Sequence, residues 1–174
     1  VYLRNNHGDY GDYARKIGCK ISLLNKATAI TFLDADNFIK EDHLDAIVNC
    51  HLITNKNIII SDRYLMDKSK KRFQIKNQNF FDTNSITFFN EFIKIGLLWS
   101  RYPKQLSLIG DRIMSNYIKV NFSSQIGFTK KKTIVYSYSK IPKSKQNDLK
   151  SWYLAEYPFY KSKFKKTFGF DLII

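Results

Sequence analysis

The sequence predicts an α/β fold, a mostly parallel sheet flanked by helices. Three observations carry that expectation. Apolar, β-branched runs at Ala29–Leu33 and Asn57–Tyr64 have the length of strands. Stretches with helical spacing precede and separate them, and alternating β and α units imply parallel strands joined by crossover helices. The chain has 174 residues, 44% of them hydrophobic and 16% aromatic, which suffices for one buried core and argues against disorder.

The elements follow in order. Tyr2–Arg4 reads as the end of a strand, and Asn5 to Asp9 as a loop by its turn chemistry. A helix is expected from Tyr10 to Asn25, with Ala14, Ile17, Ile21 and Leu24 on its inner face. The strand Ala29–Leu33 ends in an acidic turn. Glu41 to Ile53 reads as a helix with acids in its first turn and Leu44, Ile47 and Val48 inward. Asn57–Tyr64 is the next strand, centred on Ile58-Ile59-Ile60. Asp67–Lys71 is a charged turn, Phe73–Phe81 has mixed character, and Ser85–Phe89 is a short strand. An apolar helix is expected at Asn90–Trp99, ended by Tyr102-Pro103. Gly110-Asp111-Arg112 leads into a helix over Arg112–Val120. Two short strands follow, Gln125–Thr129 and Thr133–Tyr138. Residues 141–174 form a basic, aromatic extension to a core spanning 1–140. No internal repeat or low-complexity linker is present.

The formal charge is +14, so an anionic partner is expected: nucleic acid, an anionic membrane face or a phosphorylated substrate. Lysine far outnumbers arginine, as an AT-rich coding genome produces. No apolar run is long enough to cross a bilayer and no signal-peptide pattern opens the chain. Cys19 and Cys50 lack metal-ligand and redox-motif spacing and read as buried, reduced thiols of a cytoplasmic protein. His7, His43 and His51 show no ligand spacing. The chain begins on Val1 with no strand-and-turn unit ahead of its first helix, which reads as a partial domain.

The residues with chemical promise are Asp34 and Asp36. Two carboxylates one residue apart at a strand's carboxyl end repel each other unless a cation sits between them. Mg²⁺ or Mn²⁺ takes one or two carboxylates plus phosphate oxygens, so a metal–diphosphate site is expected. The plain alternative is a pair of turn-forming aspartates capping the next helix. An EF-hand fails, because its fifth and sixth positions hold Phe38 and Ile39. A haloacid-dehalogenase-type phosphatase would use Asp34 as a phosphoryl-accepting nucleophile. It would want a small Thr or Val at Phe38, and an acid where Ser115 follows Gly110-Asp111.

The stretch from Asn5 to Gly18, Asn-Asn-His-Gly-Asp-Tyr-Gly-Asp-Tyr-Ala-Arg-Lys-Ile-Gly, followed by Phe32-Leu33-Asp34-Ala35-Asp36-Asn37, resembles glycosyltransferase family 2. The resemblance covers about the first quarter of the chain. It implies the GT-A fold, Rossmann-like, and transfer of a sugar from a nucleotide-diphosphate sugar to an acceptor hydroxyl. It implies that Asp36 ligates Mn²⁺ or Mg²⁺, that Asp34 lies near the ribose and the metal's water shell, and that Arg15 lies near the nucleotide-sugar. Lys16 stands where Asn is common, and Asn37 where a third acid is common. The N-terminal strand that helps hold the base in the family has no counterpart here.

By the same resemblance Asp111, in its Asp-Arg context, is the general base of an inverting transfer, with Arg112 beside it. Its plain alternative is a helix N-cap. Asp82-Thr83-Asn84 falls where the family lines a sugar pocket, so Asp82 and Asn84 are candidates. Trp99 and Tyr102 could stack on an acceptor sugar, although an aromatic at the end of an apolar helix is more often core. The acceptor would be a bacterial surface glycan or a lipid-linked glycan, met at the inner face of the cell membrane. The alternating Phe and Lys of 159–168 suit an anionic bilayer, single-stranded nucleic acid or plain solvent. A non-catalytic basic module is thus the remaining alternative.

Overall fold

Six strands build one sheet in a computed structural model that describes residues 7–66, 72–73, 80–137 and 143–173. Tyr2–Arg4, Asp67–Lys71 and much of the Phe73–Phe81 stretch lie outside the described residues. The order of elements is α1 (Asp12–Leu24), β1 (Ala29–Thr31), β2 (Phe38–Ile39), α2 (His43–Thr54), β3 (Ile58–Met66), β4 (Arg72–Phe73), β5 (Ile86–Phe89), α3 (Gly110–Phe122), β6 (Ile126–Ser137), α4 (Lys143–Ala155) and α5 (Tyr157–Phe168). Short 3₁₀ segments occupy Thr83–Ser85, Asn90–Leu98 and Lys104–Ile109.

The α/β architecture with flanking helices is as expected, but the sheet is mixed rather than mostly parallel. Its order is β1-β5-β3-β6-β2, with β4 on the outer half of β3. Among the described residues, only β3 and β6 pair in parallel; every other pairing is antiparallel. The β-α-β reading was right about direction, since β1, β3 and β6 run the same way. It could not see that β5, arriving later, would slip between β1 and β3 in the opposite sense.

β3 is central because its sequence suits burial on both faces. Ile58 and Ile60 face the main core, whereas Ile59 joins Ile47, Cys50 and Phe89 beneath α2. That alternation is the two-residue period of a strand. The two short strands expected after α3 are one strand, β6, whose register against β3 slips on both sides of Asp62. Lys130, at φ 55°, turns the bulged stretch.

Helix phases differ from expectation where periodicity is weak. α2 buries His43, Ala46, Ile47 and Cys50 and leaves Leu44 and Val48 exposed. His43 is fixed by a 2.7 Å hydrogen bond to Thr133. In α1, Leu24 is exposed and Cys19 is fully buried. A Cβ on Gly96 would lie 2.1 Å from Cys19 Sγ, so glycine lets α1 approach the 3₁₀ segment Asn90–Leu98. That segment was expected to be an α-helix. Both cysteines are free and buried.

The C-terminal stretch packs into the core. Leu149, Trp152, Tyr157, Phe164, Phe168 and Leu172 are buried in the same cluster as Ile58, Phe88 and Trp99. Proline in the first turn of α5 and Gly169 at φ 81° after its end set the helix limits.

Candidate active site

The candidate site starts where β1 ends. Asp34 is anchored by three contacts. Its backbone N–H donates to Asn84 Oδ1 at 2.6 Å, its Oδ2 accepts from Asn84 Nδ2 at 3.0 Å, and its Oδ1 pairs with Arg15 Nη2 at 2.6 Å. Asn84 is fully buried and is itself held by Asp82, whose Oδ1 accepts from both its backbone N–H and its Nδ2 at 3.0 Å. Asp82 pairs at 2.8 Å with Arg63. The next residues make a tight turn, with Asn37 N–H donating to Asp34 C=O at 3.0 Å. The end of β6 clamps that turn: Ser137 N–H donates to Asn37 Oδ1 at 2.8 Å, and Ser137 Oγ donates to the Asp36 carbonyl. Asp36 itself is exposed.

Helix α1 supplies the second wall. Gly11, left-handed at φ 87°, starts it, and Asp9 Oδ2 caps it by accepting from Tyr13 N–H at 2.9 Å. One turn in, Arg15 donates to Asp12 Oδ1 at 3.1 Å and to the Tyr10 carbonyl at 2.9 Å. Its guanidinium lies 5.4 Å from the centre of the Trp99 ring. Asp12 is buried and accepts from Tyr102 Oη at 2.8 Å. Burial pushes the Asp12 carboxyl up to about 6, against the lowering effects of Tyr102, Ser107 and Arg15.

Gly110 ties this network to Asp111. A Cβ there would sit 2.3 Å from Tyr102 Oη and 3.1 Å from an Asp12 oxygen. Asp111 follows in the first turn of α3, so it is not the N-cap; Ile109 holds that place. Burial raises the Asp111 carboxyl, while the Arg112 N–H bond and the charges of Arg112, Arg63 and Arg15 work against the rise. Tyr136 stands among these groups. Its ring is 5.0 Å from the Arg63 guanidinium, and its hydroxyl is raised mainly by burial, with Asp111, Asp34 and Asp36 adding to the rise and Arg63 opposing it.

An open pocket of about 590 Å³ is lined by Tyr10, Arg15, Asp34, Asp36 and Tyr136, among others. The fold therefore brings Arg15, Asp34 and Asp36 to one cavity, with Asp111 within electrostatic reach through Arg15 and Tyr136. The capping alternative for the two aspartates does not hold, because the N-cap of α2 is Asp42. Other candidates take different places. Trp99 is fully buried, so it cannot stack on a sugar; it packs edge-on to Phe32 and carries Arg15. Tyr102, 6% exposed, serves Asp12 instead. Asp82 and Asn84 lie behind Asp34 rather than at the pocket surface, as supports of its carboxylate. Arg112 is exposed, with its guanidinium 5.4 Å from the Phe80 ring. Among the described residues, no three His, Cys, Asp or Glu side chains gather as a metal cage.

Sequence reading missed Asp12, Arg63 and Tyr136. Only Asp12 carried a signal, being an acid three residues ahead of Arg15 on one helix face.

No protein-family model matches the chain, and no curated protein matches it. Among solved structures it is similar to S. aureus TarS 1-349, a glycosyltransferase crystallised in complex with UDP. The TM-score is 0.56 at 11% sequence identity; the match covers 92% of this chain and 56% of the TarS chain. The chain thus spans little more than half the length of that structure. At this identity the likeness speaks to the fold alone, a mixed α/β sheet flanked by helices like that of the TarS structure.

Proposed function

We propose that this chain is the metal-dependent, inverting part of a sugar transferase. It would use a nucleotide-diphosphate sugar and pass the sugar to the hydroxyl of a bacterial surface glycan or lipid-linked acceptor, on the cytoplasmic side of the cell membrane. The observation that carries the reading is the pocket itself. A strand in a glycosyltransferase-type fold ends there in Asp34 and Asp36, with Arg15 clamped onto Asp34. The UDP bound by TarS supports a nucleotide diphosphate as the donor group.

The residues present suit a hard divalent cation. Asp36 is exposed on the pocket wall and has no ion pair among the described residues, whereas both Asp34 oxygens are engaged. Asp36 would therefore hold Mn²⁺ or Mg²⁺ directly, and Asp34 would meet its water shell. Such an ion, when bound, neutralises charge on a departing diphosphate. Arg15 and Asn84 fix the direction of Asp34, and Arg15 brings positive charge to the donor side. Asp111 would take the proton of the acceptor hydroxyl as the oxygen attacks. A carboxyl raised by burial is a stronger base than a solvated one, which suits that task.

The phosphatase alternative is disfavoured by the same contacts. A nucleophilic Asp34 needs a free oxygen facing phosphorus, and its two oxygens are taken by Arg15 and Asn84.

Calorimetric titration of the chain with UDP and other nucleoside diphosphates, with and without Mn²⁺, tests the proposal. Binding that requires Mn²⁺ and is lost in Asp36→Ala supports it. A phosphorylated Asp34, or binding indifferent to Asp36, overturns it.

A further inference from the structure

The corner between α4 and α5 presents an apolar tip that the core does not use. Trp152 and Tyr157 turn inward at 5% and 4% exposure. Leu154 and Phe159, beside them, are left outward at 67% and 90%. The two lie on successive turns of one bend, because Glu156 N–H donates to the Trp152 carbonyl at 2.8 Å and Phe159 N–H to the Glu156 carbonyl at 3.1 Å.

Basic charge predominates around the tip, although Glu156 is exposed in the bend itself and Asp148 on α4. Lys150 precedes Leu154 by four residues and Lys163 follows Phe159 by four, so each shares a helix face with its apolar neighbour. Residues 143–173 carry seven lysines against three acids. Two of those acids are occupied: Glu156 accepts from Trp152 Nε1 at 2.6 Å, and Asp171 faces Lys161 and Lys165 at 3.8 and 3.2 Å. Lys143, Lys150, Lys163 and Lys166 have no ion pair among the described residues. Another exposed apolar stripe, Leu44, Val48 and Leu52 on α2, starts beside Glu41, Asp42 and Asp45.

We propose that the α4–α5 corner is a membrane-docking tip, in which Phe159 and Leu154 enter the headgroup region of an anionic bilayer and the flanking lysines meet lipid phosphates. A large aromatic and an aliphatic residue ringed by lysine is the composition of an interfacial anchor. The tip also has a spatial link to the pocket. Lys145, near the start of α4, lies 4.8 Å from the ring of Tyr10, which lines the cavity. From Lys145 to Leu154 the helix rises by about 14 Å. Docking would hold the pocket side of α4 within about 14 Å of the tip. The surface goes beyond the sugar-transfer reading and stands or falls independently of it, since its test reads vesicle binding and not transfer.

Co-sedimentation of the chain with phosphatidylcholine vesicles, with and without phosphatidylglycerol, decides the matter. The expected result is binding only to the anionic vesicles, weakened by salt. The Leu154→Ser/Phe159→Ser pair should lower it about tenfold or more, with the thermal midpoint unchanged. Lys150→Glu/Lys163→Glu should lower it comparably. Wild-type binding by the Leu154/Phe159 variant, or no binding to anionic vesicles at all, overturns the proposal. So does a single-stranded oligonucleotide bound through the same lysines without need of Leu154 and Phe159. Loss of self-association instead of vesicle binding in the Ser variants would assign the tip to a second copy of the chain, and overturns it equally.

Discussion

Arg15 Nη2 stands 2.6 Å from Asp34 Oδ1, so a residue on α1 locks the carboxylate at the end of β1, nineteen positions away. The contact joins the two stretches that make the front of the pocket. It is reinforced by Asp12 on the same helix and by the Trp99 ring. Replacing Arg15 by Ala should free Asp34, leave Asp12 without its cation and lower stability by about 2–4 kcal/mol. Urea denaturation measures the loss. The Mn²⁺-dependent affinity for UDP should fall about tenfold or more in the same variant. Arg15→Lys should recover only part of either, because one ammonium cannot span Asp12, Asp34 and the Tyr10 carbonyl.

Asp12 makes stability depend on pH in a direction opposite to most acids. Its carboxyl sits at about 6 in the fold, above its ordinary value of 3.8, chiefly because of burial. The folded state therefore binds the proton more tightly than the unfolded one between those values. Stability from this group is greatest below pH 4 and declines as pH rises through 6, by about 3 kcal/mol in all. Asp12→Asn removes the dependence. The difference in melting temperature between Asp12→Asn and wild type should become more positive from pH 4.5 to 7.5. A flat difference would show that Asp12 does not titrate in this range.

Gly110 is required by what faces it. Gly110→Ala would drive a methyl group to 2.3 Å from Tyr102 Oη, just before Asp111. The cost should be about 1–3 kcal/mol, read by denaturant midpoint. In a Tyr102→Phe background the same substitution should cost less, because the colliding oxygen is gone. Equal costs in both backgrounds would rule out the coupling between Tyr102 and the residue that leads into Asp111.

Asn84 has a structural duty toward Asp34, not a place at the pocket surface. Asn84→Ala leaves the Asp34 N–H without its partner, and should cost about 1–3 kcal/mol. The Mn²⁺-dependent binding of UDP should weaken with it, while Asn84→Asp should not restore binding, since it sets a like charge against Asp34 and Asp82. Calorimetry at fixed Mn²⁺ distinguishes the two variants.

Residues of the C-terminal stretch should divide sharply. Phe164 is fully buried and Phe159 is 90% exposed, though both lie in α5. Phe164→Ala should cost about 3–5 kcal/mol, whereas Phe159→Ser should stay within about 0.5 kcal/mol. If Phe164→Ala proves nearly neutral in thermal melting, α5 is not part of the core.

Local chemistry alone determined much of this protein. The β-branched triplet Ile58–Ile60 specified a strand buried on both faces, and the apolar run ending in Asp34 and Asp36 specified a strand that delivers acids to a crevice. Arg15 was legible too, through the ordered motif ahead of those acids. These features depend on neighbours close in sequence, which is where periodicity and turn chemistry act. Tertiary structure decided the rest. Antiparallel insertion of β5 between β1 and β3 could not be read from either strand, because pairing depends on which edges remain open when β5 arrives. The roles of Trp99, Tyr102 and Asn84 turned on burial, which the sequence signals only on average. Phe164 and Phe168 entered the core while Phe159 stayed out, since the bend at Glu156 sets which face of α5 meets the core. Asp12 and Asp111 gained raised carboxyls only through burial in the tertiary structure, Asp12 against Tyr102, Ser107 and Gly110. The acids that could do chemistry were visible in the chain; the partners that hold and tune them came largely from residues 19 to 101 positions away.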